Sequence, residues 1–242
     1  AAKAKRRGAV DVAAPDLTSA VAGAELVVIA APVMAIKEIL KSISGHLMSE
    51  CVVTDTGSTK VKVMQWADEY LPPGVSFIGG HPMAGKETSG IDEADADLFK
   101  GCVYCLTPAR NATPKAVKDL RRLVESLEAI PFFIDAEMHD ELVAGVSHLP
   151  ILLSSAFVSA TTKSDLWSGM AKLAARGYRD FSRLASGNPE MNRDICLTNR
   201  EKIINWIDLY IDELMKYRGL IAEGKEELGI VLAQAKEARE RW

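Results

Sequence analysis

The sequence lacks several features that would place it in a functional class directly. It contains no Gly-x-Gly-x-x-Gly turn, which is the usual cradle for a dinucleotide pyrophosphate. Its net charge of −4 indicates neither a basic surface for nucleic acid nor a polybasic membrane patch. The longest apolar run, from Leu26 to Met34, is too short to span a bilayer. We therefore expect no nucleic-acid partner and no membrane partner.

Cysteine is also scarce, with 4 residues in 242, and the cysteines do not predict a metal site. Cys102 and Cys105 form a C-x-x-C pair within a predicted strand, where residues three apart point to opposite faces. No second Cys or His pair lies at the spacing of zinc ligands. We expect buried free thiols, no metal, and the reducing environment of the cytoplasm.

Apolar residues make up 48% of the chain and follow two different patterns. Up to residue 134, short apolar runs alternate with longer amphipathic segments, which is typical of βαβ units and a parallel sheet. From Asp135 onward every apolar pattern is helical, including a long helix that begins at Ala136 and is expected to kink at Pro150. The sequence predicts an α/β domain over residues 1–134 and an all-helical domain over residues 135–242. Because the first domain begins with the tail of a helix, we expect its first one or two strands to be missing.

The predicted elements place the candidate site residues. The predicted strands cover residues 25–31, 51–55, 75–79, 102–107 and 131–134. The main predicted helices cover residues 33–47, 59–70, 114–129, 136–160, 167–176, 188–198, 201–222 and 226–241. An apolar stripe at helical spacing, which either faces the core or forms an interface, comprises Ile203, Ile207, Tyr210, Leu214 and Ile221.

His81 is the strongest candidate for a catalytic residue. It lies in the segment GGHP, directly after the third predicted strand, where the glycines permit close backbone approach and Pro82 restricts the following φ. Ligands of open α/β sheets bind at the carboxyl ends of the strands. An imidazole at that edge suits a general acid or base, and we predict a functional role for His81 over a purely structural one.

Ser58 follows the second predicted strand, in the segment DTGSTK of residues 55–60. Either Ser58 or Thr59 is expected to cap the next helix. The same helix N-terminus would favour an anion or a polar group of a cofactor, and capping is compatible with that contact. A nucleophilic serine is not expected, because the chain has no Gly-x-Ser-x-Gly elbow.

Four other residues are weaker candidates. Arg183 follows a turn in an apolar segment, and arginine suits planar carboxylate recognition, although a structural role is equally open. His148 precedes Pro150 and either lines a cleft between the two halves or packs in the core. We interpret His139 as a packing or capping residue and His46 as an exposed loop residue.

Several segments, taken in order, resemble the prephenate/arogenate dehydrogenase family of tyrosine biosynthesis: VTDTGSTK, FIGGHPMAGKETSG, SHLP and GYRDFSRLASGNPEMNRDI. The resemblance runs from about Gly8 to the end of the chain. It implies a Rossmann-type domain that binds NAD or NADP, partial here without its glycine-rich turn, followed by a helical dimerisation domain. It also implies a homodimeric cytoplasmic enzyme.

The resemblance implies oxidative decarboxylation of prephenate to 4-hydroxyphenylpyruvate, or of arogenate to tyrosine. His81 matches the histidine that accepts the proton of the ring hydroxyl as hydride leaves for the nicotinamide, and Ser58 matches the serine beside it. Arg183 matches the arginine that binds a substrate carboxylate. Other expected substrate-side residues are Lys86, Glu87, Asp180 and His148. Expected cofactor-side residues are Ala31, Pro32, Val33, Thr56, Gly57 and Ser58.

Two departures from the family fall near the expected substrate pocket. Lys86 stands where many relatives carry Ser or Thr, and Ile151 replaces a second histidine after SHLP. Prephenate and arogenate therefore remain alternative substrates. Two other functions also stay open. A β-hydroxyacid dehydrogenase would share the layout, although its catalytic lysine motif is not evident. A non-catalytic ligand-binding or dimerisation module would explain the missing phosphate turn.

Overall fold

The computed structural model describes residues 2–85 and 90–242, and it consists of a sheet half followed by a helical half. The strands are β1 (Leu26–Ile29), β2 (Val52–Asp55), β3 (Ser76–Pro82), β4 (Val103–Pro108) and β5 (Ile130–Phe133). The helices of the sheet half are α1 (Ala2–Arg6), α2 (Leu17–Val21), α3 (Val33–Ile43), α4 (Val61–Tyr70) and α5 (Pro114–Ser126). Those of the helical half are α6 (Ala136–Val143), α7 (Leu149–Thr162), α8 (Trp167–Leu173), α9 (Arg176–Ser182), α10 (Pro189–Thr198), α11 (Arg200–Ala222) and α12 (Glu227–Arg241).

The five strands form one sheet in the order β1-β2-β3-β4-β5, which is mostly but not entirely parallel. β1, β2 and β3 are parallel, β4 runs antiparallel to β3, and β5 is parallel to β4. The predicted Rossmann-like α/β sheet followed by a helical domain is confirmed, and the sheet is mostly parallel, with β4 reversed. The helices α3 and α4 carry the chain back between parallel strands. Between β3 and β4 the described residues contain only a short 3-10 turn, Ile91–Glu93, so the chain enters β4 from the opposite end.

The reversed strand also lengthens β3 beyond its predicted end. Pairing with β2 stops at Ile78, whereas pairing with β4 continues through His81 opposite Cys105 and Pro82 opposite Tyr104. His81 was expected on a loop after the strand, and the structure places it inside the strand. Its backbone is therefore fixed by ladder hydrogen bonds and not by a turn.

The core occupies both faces of the sheet, because successive strand residues point to opposite sides. Phe77 belongs to the cluster formed with α3 and α4, and the next residue, Ile78, belongs to the cluster formed with α5. Leu40 of α3 is fully buried, and burying a leucine side chain contributes about 1.5–3 kcal/mol. The packed sheet is a rigid platform for the groups at its carboxyl edge.

The long helix predicted after Asp135 is built from α6, a π-helical turn at Ala144–His148, and α7. The predicted irregularity at Pro150 takes the form of this π turn, and Pro150 lies in the first turn of α7. The whole run, Ala136–Thr162, contains an 18-residue window with a mean hydropathy of 1.7 and by length and composition could cross a membrane. Core helices of soluble proteins pass the same test, and this run carries buried His139, Asp140 and His148.

The predicted apolar stripe on α11 is buried at one end of the helix and exposed at the other. Ile203 is buried in a small core with Ala144 and Ile195, whereas Leu214 is 51% exposed and Ile221 is 64% exposed. The first turns of α11 are therefore core, and its remaining length presents apolar side chains to the surface.

Candidate active site

The carboxyl ends of β1, β2 and β3 lie at one edge of the sheet, since the three strands are parallel. This edge carries the segment Ala31–Pro32–Val33 between β1 and the start of α3, the loop Thr56–Gly57–Ser58 after β2, and His81 near the end of β3. Thr56 donates its backbone N–H to the Ile29 carbonyl at 3.1 Å, which ties the segment after β2 to the end of β1. The edge is thus a continuous row of the predicted cofactor-side and catalytic residues.

A fully buried ion pair lies beneath this row. The Lys60 ammonium donates to Asp55 Oδ2 and, at 2.6 Å, to the carbonyl oxygen of Gly80. Asp55 also accepts the backbone N–H groups of Gly57, at 2.7 Å, and Gly80, at 3.1 Å. A Cβ at Gly80 would lie 2.4 Å from the Asp55 carbonyl oxygen, so only glycine permits this close approach. One carboxylate therefore joins the ends of β2 and β3.

His81 is almost completely buried, with 8% of its surface exposed. Its pKa is held well below the ordinary value, chiefly because burial disfavours the charged ring and also because the Lys60 ammonium, His139 and His148 lie nearby. The ring is therefore neutral at physiological pH. A neutral imidazole has one nitrogen that can accept a proton.

His139 and Asp140 of α6 reach the sheet edge from the helical half. His139 Nε2 lies 2.9 Å from His81 Nδ1, and His139 Nδ1 lies 2.7 Å from Asp140 Oδ1. Both residues are buried, with at most 1% of their surface exposed. The interpretation of His139 as a packing or capping residue was therefore incomplete, because its ring connects a carboxylate to His81.

The N-terminus of α4 is capped differently from the prediction. The helix begins at Val61, and no side chain of its own segment provides a cap. Asp140 instead accepts the backbone N–H groups of Lys60, at 2.7 Å, and Val61, at 2.9 Å. Thr59 donates its hydroxyl proton to Thr198 Oγ1 at 2.9 Å. The anion expected at this helix terminus is thus a carboxylate of the protein itself.

His148 is buried at the junction of the two halves, with 2% of its surface exposed. Its Nδ1 lies 3.3 Å from the side-chain amide nitrogen of Asn199, which also donates to the Asp140 carbonyl at 2.7 Å. Burial lowers its pKa to about 4; His139 adds to the shift, whereas Asp140 and the nearby Ser58 backbone oppose it. Its Nε2 is buried without a hydrogen-bond partner of good geometry. Because Nδ1 accepts from an amide, Nε2 carries the proton.

The π turn that carries His148 is shaped by Gly145. A Cβ at this position would lie 2.8 Å from two atoms of the Trp206 indole, so the tryptophan of α11 packs directly on the glycine. π-helical turns occur frequently at functional sites. This turn fixes the position of His148 relative to Asn199.

Arg183 is exposed at the start of a 3-10 turn, Arg183–Ser186, directly after α9. The turn predicted before Arg183 is absent, because helix α9 occupies that segment. The turn is anchored where Ala185 donates its backbone N–H to Ser154 Oγ of α7 at 2.9 Å. Asp180 forms an exposed pair with Arg176 at 3.4 Å. The predicted substrate residues Lys86 and Glu87 lie outside the described residues.

The part of the chain that the structure describes contains no group of three or more His, Cys, Asp or Glu side chains placed to hold a metal ion. Cys102 and Cys105 are free thiols in or beside β4. His46 is exposed at the end of a 3-10 turn.

Comparison with known proteins gives matches across nearly the whole chain. Residues 1–131 match the family model for the nucleotide-binding domain of prephenate dehydrogenase, and residues 135–234 match the model for its dimerization domain. The chain belongs to the prephenate dehydrogenase family.

Three members of the prephenate dehydrogenase family illustrate the similarity. The prephenate dehydrogenase of Bacillus subtilis is 36% identical over 99% of this chain, which spans 66% of that relative's length. The crystal structure of prephenate dehydrogenase from A. aeolicus in complex with hydroxyphenyl propionate and NAD+ is 31% identical, with a TM-score of 0.92 over 99% of this chain and 84% of that one. Synechocystis arogenate dehydrogenase is also 31% identical, with a TM-score of 0.84 over 99% of this chain and 86% of that one.

For this prephenate dehydrogenase family member, sequence reasoning missed the connection of His139 and Asp140 to the site. The available signal was a His-Asp pair in the first turns of the helix that follows the last strand. That signal is weak, because the same pair is common on solvated helices. Only the packing of α6 across the sheet edge brings these residues to His81.

Proposed function

We propose that this chain provides the catalytic centre of an NAD(P)-dependent dehydrogenase that oxidatively decarboxylates prephenate to 4-hydroxyphenylpyruvate. The observation that carries the proposal is the neutral, buried His81 at the carboxyl edge of parallel strands, with its ring held by His139. A non-catalytic module has no need for a buried histidine whose pKa is lowered and whose second nitrogen is oriented by a chain of hydrogen bonds. The match to a nucleotide-binding domain model supports the same assignment.

The residues at the sheet edge fit the nicotinamide end of NAD or NADP. The loops Ala31–Pro32–Val33 and Thr56–Gly57–Ser58 lie at the edge where dinucleotides bind in doubly wound sheets. His148 is buried near the Ser58 backbone, and its Nε2, which lacks a hydrogen-bond partner of good geometry, is a donor for a polar group at this junction. In this proposal residues 1–134 hold the cofactor, and residues 135–242 supply substrate and dimer contacts.

His81 acts as the general base in the proposed reaction. Bound NAD(P)+ would accept the hydride from the ring carbon that bears the hydroxyl group. His81 removes the hydroxyl proton, and loss of CO2 then makes the ring aromatic. The neutral state of His81 is the reactive one, and its buried position excludes bulk water from the proton.

The substrate contacts are assigned by similarity and by chemistry. Arg183 would bind a carboxylate of the substrate in a bidentate manner. His148 would donate from Nε2, and Lys86 and Glu87 would line the entrance. Ser58 would hydrogen-bond near the nicotinamide and His81. Arogenate is the alternative substrate, since the similar proteins include an arogenate dehydrogenase.

The assay is reduction of NAD+ and NADP+ by the full-length protein, with prephenate and with arogenate in separate arms. We expect His81→Asn to lower kcat by about 10²–10⁴-fold, the usual contribution of a positioned acid or base. His46→Asn changes an exposed histidine in the same way and should leave the rate unaltered. Near-full activity of His81→Asn would show that the assigned base is wrong. Inactivity of the unaltered protein with both substrates would favour the ligand-binding alternative.

The helical half is proposed to form a homodimer. Residues 135–234 match a dimerization domain model, and this half exposes large apolar side chains on α6, α10, α11 and α12 that a second copy would cover. The free thiols of all four cysteines are consistent with the proposed cytoplasmic location.

A further inference from the structure

A chain of buried hydrogen bonds runs from Asp140 through His139 to His81. The two links measure 2.7 Å, from Asp140 Oδ1 to His139 Nδ1, and 2.9 Å, from His139 Nε2 to His81 Nδ1. His139 and Asp140 are at most 1% exposed, so water does not compete for either link. The rings of His81 and His139 meet edge to face, with centroids 5.1 Å apart.

The proton positions follow from the chemistry of the carboxylate at the end of the chain. Both oxygens of Asp140 already accept backbone N–H groups, and a carboxylate has no proton to donate. His139 Nδ1 must therefore carry the proton that it shares with Asp140. In a neutral ring this leaves His139 Nε2 as an acceptor, and His81 Nδ1 must carry a proton in turn. The remaining nitrogen of His81, Nε2, is then the acceptor.

We propose that His139 and Asp140 are positioning residues that hold His81 in the Nδ1–H tautomer, so that Nε2 is the nitrogen available to take a proton. The proposal deepens the proposed function, in which His81 is the general base. In that reaction the proton of the substrate hydroxyl moves to His81 Nε2 and no proton needs to travel further. The imidazolium formed keeps its Nδ1–H bond to His139, and the Asp140 carboxylate faces the opposite side of His139.

The groups around His81 show why a specific hydrogen-bond partner is needed to fix its tautomer. The charged and titratable groups nearest to His81 are Lys60, His139, His148 and Cys105. Two of these have a carboxylate partner: Lys60 pairs with Asp55, and His139 pairs with Asp140. Lys60 opposes protonation of His81, and its own charge is neutralised by Asp55. Asp140 is the carboxylate in this group that is directed toward His81, through His139. Without it, either nitrogen of His81 could carry the proton.

The test compares two substitutions at position 139 that differ in one chemical property. His139→Gln places a carbonyl oxygen near the position of His139 Nε2 and retains an acceptor for His81 Nδ1–H. His139→Phe retains ring volume and burial but has no acceptor. A role in packing alone would favour phenylalanine, whereas the proposed role favours glutamine.

The direct measurement is the ¹⁵N chemical shift of the His81 ring nitrogens by NMR, in the protein without substrate. We expect the Nδ1–H tautomer in the unaltered protein and in His139→Gln, and a loss of that preference in His139→Phe. His46→Gln, at the exposed histidine, is the control that should leave the His81 signals unchanged. An Nε2–H tautomer in the unaltered protein would overturn the proposal, and this result does not depend on whether any variant folds.

Kinetics of the same variants separate this proposal from the proposed function. We expect His139→Phe to lower kcat by about 10²-fold, at the lower end of general-base effects, with KM nearly unchanged because His139 lies behind His81. His139→Gln should retain most of the rate. An Nδ1–H tautomer in a protein that oxidises neither substrate would support the positioning chain and refute the activity. Equal loss of rate in both variants, with the tautomer preserved, would refute the positioning role.

Discussion

Lys60 and Asp55 form an ion pair that is fully excluded from water, with 0% of either side chain exposed. Removing such a pair from water costs free energy, and its structural contribution is the hydrogen bonds that it makes to the backbone. Asp55 holds the backbone of Gly57 and Gly80, and Lys60 holds the carbonyl of Gly80. At the scale of single residues, this pair fixes the loop of Ser58 and the end of β3 in one geometry.

Removing the charge of Lys60 should therefore destabilise the protein strongly. We expect Lys60→Met to lower the free energy of unfolding by about 3–5 kcal/mol, because the Asp55 carboxylate would remain buried without a counter-charge. Urea denaturation measures the change. Lys115→Met removes a lysine from an exposed pair with Asp119 and should leave stability almost unchanged. Similar small effects in both variants would show that the buried pair is not structurally important.

At the scale of elements, α11 is the helix whose two ends have different environments. Its first turns pack on the π turn through Trp206 and Ile203, and its later turns expose Leu214 and Ile221. In a monomer, Leu214 and Ile221 of the apolar stripe are thus exposed to water. The stripe is explained if a second copy of the chain covers it.

A charge placed on the exposed part of α11 tests the proposed dimer. We expect Leu214→Glu to raise the dimer dissociation constant by about tenfold or more, because burying an unpaired carboxylate costs at least about 1.4 kcal/mol. Sedimentation equilibrium measures the constant. Val12→Glu makes the same change at a residue of the sheet half that is 77% exposed, and the dimer should tolerate it. A monomeric unaltered protein, or a dimer indifferent to Leu214→Glu, would contradict the proposed interface.

At the scale of the whole molecule, the site exists only where the two halves meet. Asp140 and Thr198 of the helical half bind the start of α4, and His139 binds His81 of β3. Burial in this junction lowers the pKa values of His81 and His148, so both rings are neutral at physiological pH. We therefore expect acid to weaken the contacts at this junction before it destabilises either half.

Stability should fall as the pH drops through the window between about 4 and 6.5, the folded and ordinary pKa values of His148. Within that window the unfolded chain binds more protons than the folded one, so the free energy of unfolding rises with pH. The lowered pKa of His148 corresponds to a change of about 3 kcal/mol in the free energy of unfolding across the window. The lowered pKa of His81 changes the free energy of unfolding in the same direction. Urea denaturation across the window measures the slope. His148→Gln should flatten the slope and His46→Gln should not; an unchanged slope in His148→Gln would refute the assignment.

Local patterns in the sequence determined the class of fold and most of the elements. The alternation of apolar runs and amphipathic segments placed the five strands, and the change of pattern at Asp135 marked the start of the helical half. The position of His81 between glycines and Pro82 singled it out, because ligand-binding edges of α/β sheets have that character. These signals are local, and each depends on a few neighbouring residues.

Tertiary packing decided the rest. The direction of β4, the inclusion of His81 within β3, and the capping of α4 by Asp140 all depend on contacts between residues 22 to 80 positions apart. His139 and Asp140 resemble any helical surface pair until α6 crosses the sheet edge and buries them. Burial and long-range hydrogen bonds do not follow from periodicity, and they decide which nitrogen of His81 is available to accept a proton.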